Sequence, residues 1–411
     1  MTEPLADDRQ DRASARRGLF VVVSAYAIVF AAELPYQAVL PLLPTLAHSL
    51  VLSKIETSAL VAAPPAGVLA ASLPIARVAE RCGTRPVVLA AGLGVVVTSL
   101  AQAAARGFWE LLAARIVLGF AHAGVWIAAP VLIAGAASDA RRVSAIAANM
   151  SVGALGAIVG PAMGGFVGER YGVRAPFAVA AVVGLAALAA FVFAVRGGTG
   201  GRGESLPGSA PRATSAFRLL AVPRVRAAVA LTLLAALVGN VISFLVALRL
   251  GSNGVSPSTI GVVFASASAV LLLGSVGVVI LGSKVVGVGV GIATAAILAG
   301  SMIVVIVSHA TGPVIAFTIA KSLFVAIVYT IAYPIAAGSG GLGAAGALGL
   351  VSVAWGVGAI CGPLAAGALL GPFGERATYG VFLVVALAIV GATIVDWLGG
   401  PRFGVALGEE S

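Results

Sequence analysis

Charge is what this chain has least of. Only 10% of its 411 residues are Asp, Glu, Lys or Arg, whereas 60% are hydrophobic and a further 53 are glycine. A soluble domain is roughly 25% charged. So little polar surface cannot coat a water-soluble globule, and a mean hydropathy of +1.10 excludes a disordered chain as well. Two cysteines, Cys82 and Cys361, make no disulfide framework. Three histidines, with neither a His-x-x-x-His nor a Cys-x-x-Cys pair, give no basis for a zinc site, so no metal is expected. The phosphate loop Gly-x-x-x-x-Gly-Lys-Ser/Thr is missing, and with it the usual means of using ATP. Paired acids, a Ser/His pair or a metal cluster inside the apolar segments are also missing, which argues against an embedded enzyme.

Long apolar runs take their place. A membrane helix needs about 20 mainly apolar residues. Twelve such runs are legible, at 18–46, 57–78, 87–105, 109–135, 143–168, 176–195, 227–250, 258–282, 285–308, 312–337, 343–370 and 376–398. The first is no cleaved signal peptide, because it far exceeds an apolar core of about 7–15 residues and contains Glu33 and three prolines. Residues 1–17 read as a polar, unstructured cytoplasmic tail, 18–195 as a first six-helix bundle and 196–226 as a Gly/Pro/Arg-rich cytoplasmic linker. Residues 227–398 read as a second six-helix bundle and 399–411 as a cytoplasmic C-terminal tail. The fold class expected is therefore all-α, with 12 transmembrane helices in two pseudo-symmetric bundles.

The positive excess follows this topology. Of 25 basic residues, 17 fall in the termini, the linker and the loops on their side. Only six fall in the alternate loops, and two, Arg115 and Lys321, lie within spans. Basic residues collect on the cytoplasmic face, where anionic lipid attracts them. The net charge of +10 thus needs no nucleic acid, and the lipid bilayer is the expected partner.

The two halves echo each other. Ser151–Gly172 reads SVGALGAIVGPAMGGFVGERYG and Ser352–Arg376 reads SVAWGVGAICGPLAAGALLGPFGER; Gly156, Gly160 and Pro161 superpose on Gly358, Gly362 and Pro363 at one offset of 202 residues. Related halves joined by a linker are a transporter architecture, with the site at their interface.

Three further motifs carry a family resemblance. The segment from Ala76 to Pro86, with Glu80, Arg81, Gly83 and Arg85, resembles the Gly-x-Leu-Ala-Asp-Arg-x-Gly-Arg-Lys/Arg loop of the major facilitator superfamily, with Ala76, Glu80 and Thr84 as departures. Arg115 with Gly119 resembles its Arg-x-x-x-Gly pattern in span 4. Gly156, Gly160, Pro161, Gly164 and Gly165 resemble the span 5 motif of its drug:proton antiporter branch. The resemblance implies a multi-pass inner-membrane transporter, usually monomeric, that takes small-molecule substrates and protons. The energy source implied is a proton gradient, with no cofactor. Small residues also let helices approach closely, and Pro161 removes a backbone donor.

Ionisable residues inside spans are costly and mark function. Glu33 is the one acid deep within a span and the candidate proton carrier, with Arg115 and His122 as coupling partners. Helical spacing puts Tyr26, Phe30, Glu33 and Gln37 on one stripe of span 1, and Arg115, His122 and Trp126 on one stripe of span 4. Asn240 and Phe244 share a stripe in span 7, and Lys321 lies in span 10. The resemblance implies that spans 1, 4, 7 and 10 line the central cavity, which makes these residues, with Trp355, candidate substrate contacts. Lys321 either binds an anionic substrate group or pairs with Glu33. The function expected is proton-coupled antiport, exporting small drug-like compounds by alternating access. The alternative is a facilitator or proton symporter for a sugar or organic anion.

Overall fold

A computed structural model describes residues 4–137, 139–196, 216–308, 310–338 and 344–399. Most of the expected linker and the whole C-terminal tail after Gly399 fall outside the described residues. The helices are α1 (Pro4–Gln37), α2 (Val39–Ser49), α3 (Lys54–Cys82), α4 (Thr84–Ala104), α5 (Phe108–Ala136), α6 (Arg142–Tyr171) and α7 (Ala175–Arg196). After them come α8 (Ala216–Leu220), α9 (Pro223–Ser252), α10 (Pro257–Leu281), α11 (Val288–Val307), α12 (Thr311–Ala337) and α13 (Ala344–Gly399). Only a helix satisfies every backbone group within its own segment, as hydrocarbon demands.

Caps appear where the chain returns to water. Ser53 and Glu56 form a reciprocal capping box at α3, and Ser256 caps α10 with Pro257 in its first turn. Eleven segments are long and apolar enough to cross a membrane. The last, α13, has 56 residues, about 84 Å at 1.5 Å per residue, which is far longer than the bilayer is thick. It is broken at Gly374, where φ is 74°, so it supplies two spans and the total is twelve. Gly172, 202 residues earlier, makes the matching turn between α6 and α7 with φ of 90°. Side chains other than glycine rarely adopt this backbone region.

One expectation needs correction. The polar tail is helical from Pro4 and continues into α1; its Ala, Arg, Gln and Asp residues extend a helix already nucleated by span 1. The first span runs as one segment, Gly18–Ser49, with only Ala38 between α1 and α2.

Helices α1 and α3–α7 pack together around Val29, Val88, Val125, Ile133 and Phe191. Helices α9–α13 pack around Leu234, Val238, Ile242, Leu298 and Val328. The two halves meet along α6 with α10, α3 with α13, and α2 with α9. Gly165 lies against the Pro257 carbonyl, and Gly367, at the same 202-residue offset, lies against the Lys54 carbonyl and the Ser58 side chain. Gly251 lies against Pro44, and the Ser258 amide donates to Glu169 Oε2 over 2.9 Å. All these contacts are at the end of the bundle opposite the chain termini. At the terminal end, Arg77, Glu80 and Arg81 are exposed, and no hydrogen bond or ion pair ties them or Arg85 to the second half among the described residues.

Candidate functional site

Glu33 sits halfway along the first span, only 5% exposed. Its carboxylate gathers side chains from its own helix and from α5. Trp126 Nε1 donates to Oε1 over 2.9 Å, and Gln37 Nε2 donates to Oε2 over 3.3 Å. His122 Nε2 lies 3.3 Å from Oε1. Tyr36 stacks on the His122 ring, with centroids 4.6 Å apart. Residues 122 and 126 are one helical turn apart, which brings both nitrogens to the same oxygen. Apart from the titratable His122, the carboxylate is held by neutral donors.

The span 5 motif forms the wall behind it. A Cβ at Gly156 would come 2.6 Å from Glu33 Cβ, one at Gly160 2.8 Å from Gln37 Cβ, and one at Gly153 2.6 Å from the Trp126 ring. Gly164 lies against the backbone of Ala38. Pro161 stays inside a continuous α6. The motif is thus the surface that lets α6 press on the acid-bearing helix.

Arg115 does not pair with Glu33. It is 1% exposed, and its Nε donates to the Leu60 carbonyl. Its Nη1 donates to the Pro35 carbonyl over 3.5 Å and to Gln102 Oε1 over 3.3 Å. It ties α3, α4 and α5 to the last turn of α1. Lys321 does not pair with Glu33 either. It is 5% exposed, and its Nζ donates to the Gly239 carbonyl over 3.4 Å and to Ser243 Oγ over 3.3 Å, both on α9.

Other expected contacts divide. Phe244 is fully buried in the core of the second half. Its helix α9 is buried on most sides, and its partly open positions between 231 and 247 are Leu233, Leu237, Asn240 and Ser243. Tyr26 donates to the Ala145 carbonyl over 2.8 Å. With Phe30 it lines an apolar groove of about 420 Å³ between α1, α6 and α7. Asn240 donates back to the Ala236 carbonyl of its own helix over 2.8 Å, and Trp355 bonds Tyr329. Gly362 and Pro363 lie in α13, where a Cβ at Gly362 would approach the Leu237 carbonyl to 3.0 Å.

Sequence reasoning placed Tyr36 off the Glu33 stripe and missed Gln102, Ser243 and Asn149. Asn149 is wholly buried with both amide atoms unpaired. It lies one turn before Gly153 on the α6 face that meets the acid. Its spacing of four from Gly153 and seven from Gly156 was the available signal. Among the described residues, no three His, Cys, Asp or Glu side chains group together as metal ligands.

Two six-span bundles with ionisable residues buried at mid-depth define a secondary transporter rather than an enzyme. The chain belongs to the Major Facilitator Superfamily, whose sequence profile matches residues 25–337. It is 33% identical over 105 residues to the Multidrug resistance protein MdtG of Serratia proteamaculans (strain 568), a segment covering 26% of this chain and 25% of that one. The match therefore spans about a quarter of that relative's length. Its fold is similar to that of a bacterial homologue of the human lysosomal transporter Spinster. The inward-facing, unoccupied form gives a TM-score of 0.74 at 16% identity, covering 93% of this chain and 98% of the other. The inward-facing, occupied form gives 0.72 at 16% identity, covering 92% and 97%.

Proposed function

We propose that this transporter is a proton-coupled antiporter of a bacterial inner membrane, exporting small drug-like organic compounds by alternating access. Both termini and the linker face the cytoplasm, as the distribution of basic residues indicates. The chain works as a monomer. A proton gradient supplies the energy, and no cofactor is required. The limited likeness to a protein named for multidrug resistance and the span 5 motif support export.

One observation carries the reading: the same helix that presses on Glu33 through Gly156 seals the far end through Gly165. In the conformer described, the halves join at the far end; in this reading substrate enters from the cytoplasm. Proton occupancy of Glu33 changes how its carboxylate engages Trp126, Gln37 and His122, and so the fit of α1 against α5 and α6. That change biases the rocking of the halves. Substrate leaves on the far side, where Glu33 takes up the next proton.

The test is transport in proteoliposomes with a proton gradient imposed in each direction. Wild type is expected to move substrate against the proton flow. Glu33→Gln is expected to retain exchange of substrate for substrate while losing uphill movement. Normal uphill transport by Glu33→Gln overturns Glu33 as the carrier. Uphill movement of substrate along the proton flow points instead to a symporter.

A further inference from the structure

We infer that Lys321 is the seat of an anionic group on the transported compound, so that the substrates include organic acids such as aryl carboxylates. The inference rests on the chain being a transporter, but not on its coupling to protons.

The argument begins with what Lys321 lacks. An ammonium has three donors and a full charge. Here it meets two neutral acceptors, the Gly239 carbonyl at 3.4 Å and Ser243 Oγ at 3.3 Å. Among the described residues no carboxylate lies within ion-pair distance, and Lys321 has no further partner. The acids of the second half are engaged elsewhere: Glu375 pairs with Arg249 and Asp396 with Arg226. Glu33 bonds Trp126, Gln37 and His122 in the first half. A buried charge without a counter-ion is strongly unfavourable, and such residues in membranes mark substrate paths.

The surroundings supply a way in. Along α9, Leu233, Leu237, Asn240 and Ser243 are partly open, while nearly every other residue from Leu231 to Ala247 is buried. This is one helical face. Asn240 gives one amide hydrogen to the Ala236 carbonyl and keeps the other at the rim, while the Ser243 hydroxyl donates to the Gly239 carbonyl and turns from it to meet a ligand, with the ammonium behind them. Together they make a set that recognises a carboxylate and leaves an apolar body outside.

The chain has only three lysines, and Lys54 and Lys284 are exposed. Replacing those two by arginine leaves Lys321 as the one lysine amine for reductive ¹³C-methylation in the purified, folded full-length transporter, its signal told apart from that of the N-terminal α-amine by its loss in Lys321→Arg. We expect benzoate to shift the labelled Lys321 resonance in a saturable way, and its neutral analogue benzamide to leave it unmoved. Ser243→Ala should weaken the benzoate response about fivefold, the loss of one hydrogen bond. The inference is overturned if benzoate leaves the resonance unchanged, if benzamide shifts it equally, or if the folded protein does not react at Lys321. Glu33→Gln in the same background must still respond to benzoate, so failure of the proton-coupling reading is distinguishable from failure of this one.

Discussion

At mid-depth the two halves of this transporter hold opposite charges over a shared backbone arrangement. In the first half, Gly156 faces Glu33 Cβ and the Phe30 carbonyl; in the second, Gly358 faces Ala236 Cβ and the Leu233 carbonyl. A Cβ at either glycine would come 2.6 Å from the facing Cβ. Gly160 likewise faces Gln37 Cβ, and Gly362 faces Val241. The repeat has thus kept the helix crossing and exchanged an acid for an alanine beneath it. The second half carries its own charge, Lys321, one helix away and with different partners. Helix packing tolerates few substitutions, whereas the polar groups set on it are free to differ.

This contrast can be broken at several points. The largest effect is expected at the acid: Glu33→Gln should reduce uphill transport to background in proteoliposomes, while Ala236→Gln, at the matching crossing, should disturb folding yield and leave any residual transport proton-dependent. Equal loss of proton dependence in both would abolish the distinction between the halves. Next come the paired seams. Gly165→Val and Gly367→Val both force a side chain onto backbone of the other half, and each should open the far end to a similar degree, read as longer distances between spin labels placed there. A large opening in one and none in the other would refute their equivalence. Phe244→Ala should cost about 3–5 kcal/mol in unfolding experiments, because Phe244 is fully buried; Phe30→Ala, on a groove, should cost distinctly less. The smallest effect on coupling is expected for Arg115→Met. It leaves the Leu60 and Pro35 carbonyls and Gln102 without their donor, about 1–3 kcal/mol for each acceptor that stays unpaired, and should lower thermal stability without altering the direction of proton coupling.

What the residue order revealed depended on the kind of constraint. Membrane spans are legible because hydrocarbon admits only long apolar helices, and the repeat is legible because Gly-Pro pairs mark close crossings. Glu33 stood out because acids inside spans are rare. Its partners His122 and Trp126 followed from one-turn spacing. The partners of Arg115 were not legible, because its bonds run largely to main-chain carbonyls of Leu60 and Pro35, which leave no trace in residue type. The full burial of Phe244 was not legible, because the open face of α9 mixes leucines with Asn240 and Ser243. Tyr36 lies off the Glu33 stripe, and its contact with His122 depends on how α1 and α5 cross.

The geometry of α6 has a mechanical consequence. Gly156 and Gly165 stand nine residues apart on one continuous helix, about 13.5 Å at 1.5 Å per residue. Between them Pro161 leaves one rung of the hydrogen-bond ladder open, and its carbonyl presses on Gly261 of α10. The carboxylate and the outer seal are therefore two ends of a crank with a single compliant coupling. Force reaches the seal only as far as that coupling resists bending, so its stiffness sets the gearing between movement at Glu33 and an opening at the other end.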